Sequence, residues 1–108
     1  MLVRQVCKAT IALLFAQEPE IVTVEEFSEP IIYLRYTRPV DGTLWRYRCK
    51  LKGNRVIWSI NESSGPGRWR TDPNDEVLTF EIKNDRIKIL ETYSDGSTEI
   101  AVFPQSRL

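Results

Sequence analysis

The stretch Val77–Phe103, VLTFEIKNDRIKILETYSDGSTEIAVF, decides the fold. It contains three apolar/polar alternating runs, Val77–Ile82, Arg86–Tyr93 and Thr98–Phe103, separated by Asn84-Asp85 and Asp95-Gly96. Alternation with period two is the signature of a half-buried strand, and Asp-Gly between two such runs is a strong hairpin signal. An Asn84-Asp85 turn sets Ile82 against Ile87, Phe80 against Ile89 and Glu81 against Lys88. An Asp95-Gly96 turn of two residues sets Ile89 against Val102 and Glu91 against Ile100. A slip of one residue would turn every side chain to the other face, so the apolar matching argues for these registers.

The same reasoning extends upstream. Gly53-Asn54 reads as a two-residue turn between Thr43–Leu51 and Arg55–Ile60, with Leu51 facing Val56, Cys49 facing Trp58 and Tyr47 facing Ile60. Ile31–Thr37 is the preceding strand, ending at Pro39-Val40-Asp41-Gly42. A loop at Asn61–Gly67, a short Arg68–Thr71 segment and an Asp72–Asp75 turn fill the interval before Val77. Residues 20–29 admit two readings. Ile21–Val24 suggest a short strand, and Thr23-x-x-Glu26 a capping box that opens a helical turn.

The N-terminus has a different period. Leu2, Val3, Val6, Cys7, Thr10, Leu13 and Leu14 recur at three- and four-residue steps, predicting an amphipathic helix over about 2–17 that stops before Pro19. The expected architecture is a single α+β domain spanning 1–108. One N-terminal helix packs on a strongly bent antiparallel β-meander of six or seven strands, at about 31–103, curled towards an open barrel.

Composition narrows the chemistry. The chain has 108 residues, 42% hydrophobic and 28% charged, which describes one folded domain and not a disordered segment. It has no histidine, which removes His-dependent nucleophile systems and His-ligated metals, and two cysteines are too few for a Cys₄ zinc site. Neither cofactor nor metal is expected. Asp75 with Glu81-Ile82-Lys83 resembles a nuclease metal arrangement, but the spacing strings both acids along a single strand. Asp72–Glu76 lacks the spacing and glycine of a calcium loop. Cys7 and Cys49 both fall at apolar-patterned positions, and the expectation is two reduced, buried thiols. No apolar run is long enough to span a bilayer. Arg4 and Lys8 ahead of Ala9–Ala16 have the outline of an export signal, but the apolar stretch is short and Leu14 is too large for the −3 cleavage position. A cytoplasmic location is expected, where the Asn61-Glu62-Ser63 sequon would carry no meaning.

Net charge is zero, yet it is segregated. Residues 35–70 hold nine cations against Asp41 and Glu62, net +7, while 71–108 are net −4 and 1–34 net −3. Alternation places Arg46, Arg48 and Lys50 on one face, away from Trp45, Tyr47, Cys49 and Leu51, with Tyr33 and Arg35 beside them on the neighbouring strand. Arg68, Trp69 and Arg70 are near in sequence. These eight residues are the candidate binding surface, because a cationic face with aromatics suits a polyanion or an acidic protein. The second candidate is Glu91, placed on the apolar face beside Leu78 and Ile100 with Tyr93 two residues on. A carboxylate there needs a partner or a raised pKa, and could serve as an acid or base. Tyr36, Trp45, Tyr47, Trp58 and Phe80 follow strand alternation and read as core.

The leading expectation is a small non-enzymatic binding module for a protein or a small apolar ligand, self-associating through its complementary charged segments. Second comes a nucleic-acid or other polyanion binder using the basic face of strands 31–51, and third an acid–base enzyme built around Glu91.

Overall fold

The computed structural model describes residues 2–28, 30–62 and 64–108, without the side chains of 26–28. Helix α1 (Leu2–Leu14) is followed by a 3₁₀ turn at Pro19–Ile21 and by strands β1 (Thr23–Ser28), β2 (Ile31–Thr37), β3 (Leu44–Lys52) and β4 (Arg55–Glu62). Then come the two-residue β5 (Gly65–Pro66), β6 (Val77–Lys83), β7 (Arg86–Thr92), β8 (Thr98–Pro104) and a last 3₁₀ turn at Gln105–Arg107. The main sheet is antiparallel, seven strands in the order β1-β2-β3-β4-β6-β7-β8, and it curls into a half-barrel with α1 on its inner face. β5 only folds back on the end of β4.

The helix binds the sheet because one side of it is apolar at helical spacing. Val6, Cys7, Ala9, Thr10, Ile11 and Ala12 are all buried. They meet Ile32 and Leu34 of β2, Tyr47 and Cys49 of β3, Val56 and Trp58 of β4, Leu78 of β6 and Ile87 and Ile89 of β7 in one core. The helix ends at Leu14, not at about 17. Ala16 takes a left-handed φ of 52°, Gln17 N–H donates to the Ala12 carbonyl and Ala16 N–H to that of Leu13. That pair of bonds is a Schellman cap, and it turns the chain before Pro19 is reached. Phe15 is thereby swung into the open end of the half-barrel. It stacks on Tyr47 at 4.6 Å and meets Trp58 edge-on at 5.5 Å, with Tyr36 stacked on Tyr47 beyond.

At the N-terminal end one open reading is decided and one expectation is corrected. Residues 23–28 form a strand, with a bulge between Val24 and Glu26, so Thr23 opens no helical turn. Cys7 and Cys49 are not free thiols. They form a disulfide across a Cα–Cα distance of 5.9 Å, joining the buried side of α1 to the inner face of β3. Each half was legible, because Cys7 lies on the apolar stripe and Cys49 lies inward opposite Trp58. What sequence spacing could not supply was the docking of that stripe on that strand.

The turns explain which registers match. Asn84 and Asp85 both have positive φ, 52° and 62°, the conformation of a type I′ turn, and Ile82–Ile87, Phe80–Ile89 and Glu81–Lys88 pair as the sequence predicts. Gly53, at φ 60°, makes the Leu51–Val56, Cys49–Trp58 and Tyr47–Ile60 pairs. The third hairpin differs. Tyr93 N–H donates to the Ser97 carbonyl and Gly96 N–H to that of Tyr93, so the loop holds three residues, Ser94-Asp95-Gly96. The added loop residue moves the register by one. Ile89 therefore faces Ala101 and Glu91 faces Glu99, while Ile100 and Val102 turn outward.

Candidate functional site

The outer face of β2, β3 and β4 is built by alternation. Residues opposite one another in an antiparallel pair share a face, so Tyr33 lies beside Arg48 and Arg35 beside Arg46, with Lys50 one pleat further along β3. The row continues through Lys52 to its cross-strand partner Arg55 on β4. Six cations thus share one face with Tyr33. Lys52 and Arg55 were missed by the sequence reading, although the correctly placed Gly53-Asn54 turn puts them on that side. Among the described side chains, one carboxylate lies beside them. Glu25 sits 3.3 Å from the Arg46 guanidinium and 3.7 Å from that of Arg35. All three side chains are partly exposed, so these pairs hold orientation more than stability.

Trp69 completes the surface. β6 pairs with β4 only at Arg55–Thr79 and Val56–Leu78, leaving the far half of the β4 edge open. Residues 66–70 run along that edge, with Gly67 N–H on the Ile60 carbonyl and Arg70 N–H on the Trp58 carbonyl. This carries the Trp69 indole across β4 to β3, where the Arg48 guanidinium lies 4.0 Å and the Lys50 ammonium 4.2 Å from the ring centroid. The outward-facing β4 residues between them, Ile57 and Ser59, are only 4% and 0% exposed. The Gly67 carbonyl accepts from Ser59 Oγ at 2.7 Å and from Arg48 Nη2 at 3.0 Å, which anchors the segment. Cations over an indole face are attracted by its quadrupole, so Arg48 and Lys50 lie side by side without an intervening carboxylate.

Arg68 and Arg70 do not join this face. Arg68 makes a two-pronged contact with Asp75, at 2.7 and 3.0 Å, and Asp75 also accepts from Asp72 N–H. The arginine holds the Asp75 carboxyl at about 2, below the usual aspartate range. Arg70 lies 3.9 Å from Asp75 and rests over the Trp58 ring at 4.8 Å. Both therefore brace the loop around Trp69. Of the eight candidates, Tyr33, Arg35, Arg46, Arg48, Lys50 and Trp69 come together.

The second candidate lies on the inner side. Glu91 is 5% exposed and opposite Leu78, as alternation requires, but its other neighbour is Glu99 and not Ile100. Burial pushes its carboxyl above the ordinary glutamate value, and the charges of Glu76 and Glu99 add to that; a hydrogen bond with Tyr93 opposes it. The same bond, with burial, raises the Tyr93 hydroxyl to about 12. Glu76 accepts from Trp58 Nε1 at 3.2 Å. The surface depressions lie elsewhere. One of 520 Å³ is lined by Glu81, Lys83, Arg86, Lys88 and Val102, and one of 270 Å³ by Leu44, Trp45, Arg46 and Ile60 among others. Neither reaches Glu91. Asp75 and Glu81 stand apart, Asp75 on Arg68 and Glu81 opposite Lys88 on the outer face of β6. Among the described residues no group of three or more Cys, Asp or Glu side chains is placed to hold a metal ion.

Fold and site together define an α+β half-barrel whose inner face carries a helix and whose outer face carries a cationic, tryptophan-bearing surface. Comparison with protein-family models, with curated proteins and with solved structures finds no match. Among the described residues no helix is long and apolar enough to cross a membrane.

Proposed function

We propose that this protein is a non-enzymatic binding module that docks an acidic protein surface on the outer face of β2–β4. The observation that carries this reading is the Trp69 indole lying on Arg48 and Lys50 amid four further cations. Tryptophan, tyrosine and arginine at the centre of a pre-ordered patch are the residue types that dominate protein–protein binding energy. A small apolar ligand has less support, because α1 occupies the inner face where such a ligand would sit. An enzyme built on Glu91 has less support too, since the carboxylate is buried against Leu78 and bonded to Tyr93.

The disulfide bears on compartment. Disulfides persist where the surroundings are oxidising, so the reading places the protein in such a compartment in preference to the cytoplasm. There an acidic protein is a more accessible partner than a nucleic acid. Self-association belongs to the same reading, but not through segregated charge. The opposite signs of 35–70 and 71–108 already meet within one chain, where Arg68 and Arg70 approach Asp75.

The test is a titration of labelled poly-L-glutamate and of single-stranded oligo(dT) at low and moderate salt. Poly-L-glutamate should bind, and Arg46→Ala/Arg48→Ala/Lys50→Ala should weaken it by at least about tenfold, as removal of a central charged cluster does. Glu91→Gln should leave binding unchanged. Failure of the wild type to bind poly-L-glutamate at low salt would sink the reading. Tight oligo(dT) binding with a steep salt dependence would replace it with the polyanion one.

A further inference from the structure

The two ends of the sheet are finished differently. At one end β1 carries a bulge between Val24 and Glu26, a device that keeps an edge strand from pairing with other chains. At the other end β8, Thr98–Pro104, has no lysine or arginine and a regular register along its full length. Its backbone polarity can be read directly. Tyr93 N–H donates to the Ser97 carbonyl and Gln105 N–H to the Asp85 carbonyl, so the odd-numbered residues of β8 bond inward to β7. The N–H and C=O groups of Thr98, Ile100 and Val102, and the carbonyl of Pro104, therefore point away from the sheet. Those same residues present their side chains to the outer face, where Ile100 is 55% and Val102 48% exposed.

We propose that β8 pairs antiparallel with β8 of a second copy, about a two-fold axis through Ala101, joining two half-barrels into one continuous sheet. The edge is self-complementary in three respects. First, an Ala101-centred register sets Ile100 opposite Val102 of the second copy, and both present outward donors and acceptors, so each pair exchanges two hydrogen bonds. Pro104, which lacks an N–H, falls at the end of the ladder opposite Thr98. Second, Leu90 lies beside Ile100 on the outer face, so Leu90, Ile100 and Val102 with their counterparts form one apolar strip. Third, like charges are kept apart. The Ala101-centred register separates the two Glu99 side chains along the strands, and each faces the apolar ring of Phe103 of the second copy instead of another carboxylate. A closed two-fold contact uses up both edges and stops there, which an open edge does not. This inference does not depend on what the basic face binds.

Sedimentation of the oxidised protein across roughly 1–100 μM should show a reversible monomer–dimer equilibrium, the weak association expected of an interface smaller than standard size. Val102→Lys, a change at an exposed position, should leave the circular dichroism spectrum unchanged and move the dissociation constant up by at least about tenfold. Ala101→Cys tests the register, because facing residues in a non-hydrogen-bonded pair have Cα atoms within disulfide reach. It should form a covalent dimer in mild oxidant at least about ten times faster than Glu99→Cys, whose thiols would be separated along the strands. A monomer at all concentrations, a dimer indifferent to Val102→Lys, or equal cross-linking by the two cysteine variants would each overturn the proposal.

Discussion

Strand β3 has two faces that differ in nearly every physical respect. Inward, Tyr47 and Cys49 are almost wholly buried, and they connect by stacking to Phe15 and by a disulfide to α1. Outward, Arg46, Arg48 and Lys50 stay partly exposed and touch a carboxylate, a carbonyl and an indole. The two sets of residues alternate along one strand, so they share a backbone but not an energetic role. Burial of apolar area holds the half-barrel together, while exposed charges add little to folding and remain free to meet a partner. Stability and binding should therefore be separable by substitutions one residue apart.

The largest expected effect tests the inner face. Trp58 is directly opposite Cys49, 5% exposed, in contact with Phe15 and Tyr47 and bonded to Glu76. Trp58→Ala should destabilise by ~3–5 kcal/mol in denaturant unfolding, the range for a buried aromatic. A loss under about 1 kcal/mol would break the comparison, because the inner face would then not be the stabilising one. Removal of the disulfide comes next. The bond spans a separation of 42 residues, for which loop-closure entropy gives at most about 4 kcal/mol. Cys7→Ala/Cys49→Ala should lose ~2–4 kcal/mol and should match the reduced wild type closely.

Acid and base unfolding sharpen the contrast further, since Glu91 on the inner face and Asp75 in the loop that braces Trp69 are shifted in opposite directions. Glu91 is raised above the ordinary value of 4.5, so its ionisation is harder in the folded protein than in the unfolded chain. Its favourable contribution is complete below that ordinary value and declines as pH rises through the raised one. Asp75 is lowered from 3.8 to about 2 by Arg68, and its contribution is present above 3.8 and lost as pH falls towards 2. Glu91→Gln should accordingly raise stability at neutral pH relative to wild type and make no difference near pH 3. Asp75→Asn should lower stability at neutral pH and flatten the acid limb. Unfolding midpoints measured from pH 2 to 8 decide both, and a Glu91→Gln difference independent of pH would contradict the burial argument.

The sequence showed the meander clearly because alternation and turn residues are local signals. The Asn84-Asp85 and Gly53-Asn54 turns require positive φ at defined positions, and their residues supply it. Asp95-Gly96 carries the same kind of signal but is compatible with two loop lengths, and apolar residues at both Ile100 and Val102 favoured the shorter. In the structure those two residues face outward on an edge strand, where burial no longer disciplines the pattern. The disulfide was hidden for a related reason. Its formation depends on helix docking, a long-range event with no signature in the spacing of Cys7 and Cys49. On the outer face the cations were legible from alternation alone, whereas the placement of Trp69 was not. That required the open half of the β4 edge and the small Ser59 beneath the crossing segment.

The smallest expected effect is the most discriminating. Arg48 is paired with Ser59 and the adjacent Cys49 with Trp58, so the two pairs differ by one residue along the same two strands. Replacing Arg46, Arg48 and Lys50 together by Ala removes one contact to Glu25, one bond to the Gly67 carbonyl and two cations over Trp69. Exposed ion pairs contribute ~0–1 kcal/mol and exposed cation–π contacts ~0.5–1 kcal/mol, and removing three like charges from a crowded face relieves repulsion that offsets part of this. The triple variant should therefore unfold within about 1 kcal/mol of wild type, several-fold less than Trp58→Ala. Raising salt should shrink even that difference, since the interactions removed are screened ones. A loss as large as that of Trp58→Ala would mean that the cationic row is structural, with Trp69 clamped over Ile57 as a second core. The outer face would then have no surplus left for a partner.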